Sequence, residues 1–173
     1  MDFQRDRTLR LTQGNVDVDT YPTEARMAEV REGVFVGNKA AAEEKRGMAL
    51  VSCNGLLPEW WINHNERDWP AMALGFDDLE VNHMPSKMKL MNVGISFIHA
   101  MRDLDMAVLI YCYHGSSRSV VVAAYHLVLT EQLSPAQALE EVMGCVSWAA
   151  PSLGMIELLM STAEPWRRRT HVG

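Results

Sequence analysis

Residues 109–119 read LIYCYHGSSRS, and their polar part lies between two apolar runs of different length. The run before the motif, Met106 to Tyr111, is short and rich in β-branched and aromatic residues, which predicts a buried strand. The run after it, Val120 to Leu129, is longer and has alanine, leucine and valine at helical intervals, which predicts a buried helix. The polar segment between them therefore turns the chain at the carboxyl end of a strand, where open α/β sheets bind ligands.

The residues of this turn suit the binding of a phosphate group. A helix start offers unpaired N–H groups and the positive end of a dipole, and Gly115 permits a backbone conformation that turns several N–H groups inward. Arg118 follows Cys112 after five residues, so its guanidinium can fold back and hold an anion with two parallel hydrogen bonds. Positive charge around Cys112 favours the nucleophilic thiolate, and Ser119 can donate a hydrogen bond to that sulfur. The turn thus predicts a phosphate site with a cysteine nucleophile at its floor.

The spacing of Cys112, Gly115 and Arg118-Ser119 resembles the signature loop of the cysteine-dependent protein phosphatases. The similarity extends over roughly residues 30–162. The segment Val34-Phe35-Val36-Gly37-Asn38, the alanine-rich helix after it and the apolar strand at 48–53 resemble the opening of the compact dual-specificity phosphatase domain. The resemblance implies an α/β fold in which a central, mostly parallel sheet is flanked by helices. The predicted element order, β-α-β-β-α-β-loop-α-α-α, supports the same fold.

The resemblance also implies roles for the residues of the loop. Cys112 would attack phosphorus and form a phosphocysteine, and Ser119 would assist departure of the thiolate. Arg118 and the backbone N–H groups would bind the phosphate oxygens, and these N–H groups belong to Tyr113, His114, Gly115, Ser116, Ser117 and Arg118. We expect no metal and no cofactor.

Expelling an alkoxide or phenolate from a phosphate ester requires a proton donor on the leaving oxygen. In the family that this chain resembles, an aspartate on a loop upstream of the cysteine supplies the proton. Here Asp77 and Asp78 follow the predicted strand Ala71–Phe76. The apolar-x-apolar-x-Asp register resembles the family best with Asp78 as the general acid, and Asp77 is the alternative.

One residue departs from the family pattern. The family usually has a histidine directly before the cysteine, which helps to hold the loop and to activate the thiol, and this chain has Tyr111. We expect a slower enzyme rather than an inactive one, because the cysteine, glycine, arginine, serine and aspartate all remain.

The expected reaction is the hydrolysis of phosphotyrosine and phosphoserine or phosphothreonine in phosphoprotein substrates. The loop lacks the lysines of related lipid phosphatases, and the net charge of −6 disfavours nucleic acid as a partner. Two alternatives remain open. The motif Tyr111-Cys112-Tyr113-His114-Gly115 is also similar to the loop of single-domain rhodaneses, which are sulfurtransferases, and the Tyr111 departure permits a pseudophosphatase that binds phosphate without turnover.

The two other cysteines have different predicted roles. Cys53 closes a predicted strand that should run beside the Cys112 strand. In some members of the family a cysteine at that place forms a disulfide with the nucleophile and protects it from over-oxidation, so Cys53 is a possible redox partner. We interpret Cys145 as structural.

Length and composition indicate how the chain is organised. Its 173 residues favour a single domain, which we place at residues 26–166, between a flexible N-terminal arm at 1–25 and a basic tail at 167–173. No apolar run reaches transmembrane length, so we expect no membrane partner. Three cysteines without a regular framework indicate a reducing compartment, and we expect a cytoplasmic protein. The sequence leaves the oligomeric state open.

Overall fold

A computed structural model describes residues 22–63, 69–78 and 84–162. The strands in these ranges are β1 Met27–Arg31, β2 Val34–Asn38, β3 Ala49–Ser52, β4 Ala71–Ala73 and β5 Val108–Cys112. The helices are α1 Lys39–Glu44, α2 Glu59–Asn63, α3 Met84–Asp103, α4 Arg118–Thr130, α5 Pro135–Cys145 and α6 Leu153–Met160.

The five strands form one sheet in the order β1-β2-β5-β3-β4. β1 is antiparallel to β2, and the pairings of β2 with β5, β3 with β5 and β3 with β4 are parallel. The predicted central, mostly parallel sheet is therefore confirmed. β5 lies at its centre and every residue from Val108 to Cys112 is buried, as expected for a parallel strand covered on both faces. This position places Cys112 in the middle of the carboxyl edge of the sheet.

Helices cover both faces of the sheet and form two apolar clusters. The larger cluster contains Val108, Ile110 and Cys112 of β5 together with the buried faces of α3, α4, α5 and α6. The smaller one contains Leu109 and Tyr111 of the same strand and residues of α1 and α2. Because successive side chains of a strand point to opposite faces, Tyr111 and Cys112 lie in different layers of the molecule.

Helix α4 is the central helix of the larger layer. All residues from Ser119 to Val128 are buried, which agrees with the long apolar run that predicted it. The helix begins at Arg118, two residues before the predicted start, so Arg118 and Ser119 occupy its first turn rather than the preceding loop.

The structure differs from the sequence predictions at two strands. β1 was not predicted, because its sequence MAEVR mixes polar and apolar residues at the edge of the sheet. The strand predicted at Ala71–Phe76 ends at Ala73, because Gly75 has a φ of +64° and turns the chain out of the ladder. The chain still follows β3 from there, since Leu74 N donates to Ser52 O and Phe76 N donates to Cys53 O.

The predicted N-terminal arm ended at residue 25, and the end of that segment lies against the sheet. The Asn38 side chain donates to Glu24 O and accepts from Arg26 N, and Ala25 packs against the smaller apolar cluster. Residues 1–21 of the predicted arm and the predicted basic tail at 167–173 lie outside the described residues.

Candidate active site

Cys112 is the last residue of β5 and is supported on both sides by neighbouring strands. It pairs in register with Asn38 of β2, and on the other side Cys53 N donates a 2.8 Å hydrogen bond to Tyr111 O. The cysteine is 2% exposed, and its Sγ lies 3.3 Å from Oγ of the fully buried Ser119. A hydroxyl at this distance can donate a hydrogen bond to the sulfur and stabilise negative charge on it.

The loop after Cys112 packs on the end of β2. Gly115 has a φ of +71°, and a Cβ at this position would come within 2.6 Å of the carbonyl carbon of Gly37. Lys39 N donates to Tyr113 O at 3.2 Å from the start of α1. The loop therefore packs directly on the backbone of Gly37 and Asn38, and no residue larger than glycine fits at position 115.

The connection between α5 and α6 holds the loop from the other side. Trp148 Nε1 donates to Gly115 O at 3.0 Å, and Ala150 N donates to Ser116 O at 2.8 Å. Because a trans peptide unit points its N–H away from its carbonyl, outward carbonyls turn the N–H groups of the next residues inward. Such inward N–H groups beside a helix start form an anion site.

The side chain of Arg118 extends from the start of α4 and contacts both the loop and the segment after β4. Its guanidinium donates to Phe76 O at 3.1 Å, at the end of the segment that follows β4, and lies 5.9 Å from the ring centre of Tyr113. Among the described residues no acceptor pairs with its buried Nε. A buried N–H donor without a partner costs free energy, and an anion bound in the loop would satisfy it.

The carboxyl group of Asp78 lies against the same loop. Its Oδ1 accepts hydrogen bonds from Ser117 Oγ at 2.6 Å and from Ser152 Oγ at 3.1 Å. The neighbouring Asp77 is exposed. The structure thus brings the predicted residues Cys112 and Asp78 to the same loop, although they are far apart in the chain. We term this loop, residues 113–117, the phosphate loop for its predicted role.

The predicted redox partner Cys53 follows β3 and is fully buried beside this site. Burial raises the pKa of its thiol, and the adjacent Cys112 raises the pKa further, while Arg118 opposes the shift. The predicted structural residue Cys145 is instead an exposed free thiol at the end of α5.

Tyr111 lies in the opposite layer and contacts the connection between β3 and α2. Its hydroxyl donates a 2.6 Å hydrogen bond to Leu56 O, and Ser52 Oγ donates to the same carbonyl at 2.8 Å. Burial raises the pKa of the Tyr111 phenol well above its ordinary value. Tyr111 is therefore a neutral anchor for the Asn54–Leu57 segment.

Two contributors to the site were not anticipated from the sequence. They are Ser152 and Trp148, which none of the sequence predictions placed in the site. The N-cap signal of Pro151-Ser152 was visible, but nothing in the sequence showed that this hydroxyl also reaches Asp78. Within the described ranges no group of three or more histidine, cysteine or acidic residues is arranged to hold a metal ion, and no helix is long and apolar enough to cross a membrane.

Comparison with known proteins identifies similar chains. The chain is 30% identical to dual specificity protein phosphatase 12 of Rattus norvegicus over 121 residues, which are 66% of this chain. That match covers 34% of the rat protein, so the chain spans about a third of the length of the curated relatives it matches. No protein-family profile matches the chain.

Solved structures have the same fold at lower identity. Human DUSP28 superimposes with a TM-score of 0.73 at 19% identity, over 86% of this chain and 99% of that chain. A mouse putative dual specificity phosphatase complexed with zinc tungstate superimposes with a TM-score of 0.68 at 20% identity, over 92% of this chain and 97% of that chain.

Proposed function

Because this chain belongs to the dual-specificity phosphatase family of the cysteine-dependent protein tyrosine phosphatase superfamily, we propose that it hydrolyses phosphate esters on proteins. The proposed substrates are phosphotyrosine and phosphoserine or phosphothreonine, and the proposed intermediate is a phosphocysteine at Cys112. One observation carries the proposal: the loop that begins at Cys112 is contacted by the guanidinium of Arg118, which lies over the Tyr113 ring, and by the carboxyl of Asp78, which accepts from Ser117.

In the first displacement, the Cys112 thiolate attacks phosphorus in line with the leaving oxygen. The S–P bond forms as the P–O bond to the substrate breaks, and Asp78 transfers its proton to the departing oxygen. The inward N–H groups of the loop, the start of α4 and the guanidinium of Arg118 neutralise the three remaining phosphate oxygens. Positioning and electrostatics supply most of the rate in phosphoryl transfer, and Arg118 is held in the first turn of α4.

In the second displacement, water hydrolyses the phosphocysteine. The Asp78 carboxylate takes a proton from the water as its oxygen forms a bond to phosphorus and the S–P bond breaks. The electron pair returns to the sulfur of Cys112, where the Ser119 hydroxyl at 3.3 Å donates a hydrogen bond to the emerging thiolate. Both steps use only groups of the chain and water.

The surroundings of the loop favour a peptide as the carrier of the phosphate. Leu153 is 71% exposed and directly follows Ser152, whose hydroxyl contacts Asp78. Apolar surface beside an anion site can contact residues that flank a phosphorylated side chain. The net charge of −6 does not favour a polyanionic substrate such as RNA.

The test is the hydrolysis of p-nitrophenyl phosphate and of phosphotyrosine and phosphothreonine peptides across pH, without added metal. We expect turnover by the parent chain, its loss in Cys112→Ser, and normal turnover in Cys145→Ser, which removes an exposed thiol far along the chain. Acid quenching followed by mass spectrometry should find phosphate on Cys112. Turnover that survives Cys112→Ser would overturn the proposal.

The structure also supports a phosphate-binding protein without turnover as a second candidate. The observation behind it is that Tyr111 stands directly before Cys112, where the family usually has a histidine. The Tyr111 hydroxyl donates to Leu56 O in the other layer of the molecule. Binding of phosphopeptides with no hydrolysis by the parent chain would favour this candidate. Sulfur transfer from thiosulfate to cyanide, measured on the same preparation, would instead favour the rhodanese-like alternative.

A further inference from the structure

We propose that Ser117 and Ser152 are positioning residues that hold the candidate acid Asp78 over the phosphate loop before substrate binds. This inference rests on the proposed function and deepens it. A preorganised acid matters most when the leaving group is a poor one, and the alkoxide of serine or threonine leaves less readily than the phenolate of tyrosine. The two hydroxyls would therefore help to extend the substrate range to phosphoserine and phosphothreonine.

Ser152 connects the acid to the start of helix α6. Its hydroxyl hydrogen is shared between Asp78 O at 2.8 Å and Asp78 Oδ1 at 3.1 Å in a bifurcated hydrogen bond. The same oxygen accepts a hydrogen bond from Met155 N at 3.3 Å and so caps the helix. A side chain held by its helix cap has little rotational freedom, so the position of Asp78 follows the position of α6.

Ser117 connects the acid to the phosphate loop. Its hydroxyl donates to Asp78 Oδ1 at 2.6 Å and accepts from Ser152 N at 3.0 Å. The residue is 5% exposed, so water competes little for these bonds. The three residues form a closed triangle of hydrogen bonds between the acid, the loop and the last helix.

The triangle has a consequence for the proton on the acid. Both hydroxyls donate to Oδ1, and within the described part of the chain no hydrogen bond reaches Oδ2. The acidic proton therefore belongs on Oδ2, which is the oxygen free to face a leaving group. Fixing Oδ1 orients Oδ2, and orientation of a reacting group is worth a large factor in rate.

The test compares leaving groups in Ser152→Ala and Ser117→Ala. We expect kcat toward phosphothreonine peptides to fall roughly tenfold to a hundredfold. Turnover of p-nitrophenyl phosphate, whose leaving group needs little protonation, should fall much less. Ser152→Thr, which retains the hydroxyl and the cap, should keep the phosphothreonine turnover of the parent chain. In the Asp78→Asn background, Ser152→Ala should cause no further loss, because the proton that it positions is already absent.

The matched control is Ser134→Ala. Ser134 caps α5 through Gln137 N in the same way that Ser152 caps α6, and its other bond is to the Gln137 side chain. This variant loses a helix cap without losing a contact to Asp78. We expect it to keep the leaving-group dependence of the parent, so that an effect of Ser152→Ala cannot be ascribed to a weakened helix alone.

The outcomes separate the inference from the function that it rests on. Equal losses for phosphothreonine and p-nitrophenyl phosphate in the two serine variants would overturn the positioning role, while turnover lost in Cys112→Ser would still support the phosphatase. Absence of turnover in the parent chain would overturn both. Loss of phosphothreonine turnover in Ser134→Ala to the same degree would also overturn the positioning role.

Discussion

Gly115 lies directly against the backbone of Gly37, so that a Cβ on Gly115 would approach the Gly37 carbonyl carbon to 2.6 Å and its oxygen to 2.7 Å. Backbone cannot move aside as the end of a flexible side chain can. The φ of Gly115 is also +71°, in the left-handed region that favours glycine. The contact thus determines how closely the phosphate loop packs against the end of β2.

Gly115→Ala should destabilise the fold and displace the loop, because alanine meets both the clash and the unfavourable φ. We expect a loss of about 2 kcal/mol or more in the free energy of unfolding, measured by urea denaturation, and weaker binding of inorganic phosphate. Gly144→Ala is the control, since Gly144 is an exposed residue of α5 with no atom within 4 Å of an added Cβ. It should stabilise the protein by about 0.5–1 kcal/mol. Unchanged stability and phosphate affinity in Gly115→Ala would contradict the prediction.

Tyr111→Phe should weaken the attachment of the Asn54–Leu57 segment. The change removes the 2.6 Å hydrogen bond to Leu56 O from a fully buried ring and adds no volume. We expect the free energy of unfolding to fall by about 1–2 kcal/mol in thermal or denaturant unfolding. Because Ser52 still donates to the same carbonyl, the loss should be smaller than for Ser52→Ala combined with Tyr111→Phe.

Tyr111→His should accelerate the proposed reaction, because a histidine before the cysteine is the arrangement usual in the family and favours the thiolate. The measurement is the rate at which iodoacetamide alkylates Cys112 at mildly acidic pH, together with kcat for p-nitrophenyl phosphate. Both should rise relative to the parent chain, and Tyr111→Phe should not raise them. Equal alkylation rates in the parent and Tyr111→His would show that Tyr111 does not slow the enzyme.

His126 should make the fold sensitive to acid. Burial, together with the neighbouring His99 whose ring centre is 5.2 Å away, lowers the pKa of His126 from 6.5 to about 4. The unfolded chain therefore binds a proton near pH 6.5 that the folded protein binds only near pH 4. The contribution of neutral His126 to the free energy of unfolding is complete above pH 6.5. Up to about 3 kcal/mol of this free energy is lost as the pH falls from 6.5 to 4.

The control for this pH dependence is another histidine of the same chain. His114 is exposed, so His114→Gln should keep the fall in stability below pH 6.5, whereas His126→Gln should remove most of it. The measurement is urea denaturation at several pH values. A parent chain whose stability is constant between pH 6.5 and 4.5 would refute the assignment to His126.

Cys53 should protect Cys112 from irreversible oxidation. Peroxide would convert the Cys112 thiolate to a sulfenic acid, and the Cys53 thiol would displace hydroxide, released as water, to form a disulfide. Neighbouring parallel strands are close enough for such a bond, since Ser52 pairs in register with Tyr111. We expect mass spectrometry to find the disulfide in the parent and in Cys145→Ser. In Cys53→Ala, sulfinic or sulfonic acid at Cys112 should replace it, and finding only these acids in the parent would reject the redox role.

Local sequence determined the strand, the turn and the helix around Cys112. An apolar run of strand length, a polar turn with glycine and a longer apolar run encode their conformations through burial and backbone freedom, which depend on near neighbours. The Ser134-Pro135 and Pro151-Ser152 pairs are likewise local signals of the helix starts that the structure shows at Pro135 and Leu153. The edge strand β1 was not visible, because its stability depends on pairing with β2 rather than on its own pattern.

The tertiary structure alone decided how the site is assembled. The Asp78 carboxyl bonds to Ser117, 39 residues away, and to Ser152, 74 residues away. The alternation of side chains along β5 likewise sends Tyr111 to Leu56 in one layer and Cys112 to Ser119 in the other. Sequence patterns report which residue types stand where a chain must turn or be buried. Distances between side chains far apart in the chain follow from the packing of whole helices on the sheet, which no local pattern encodes.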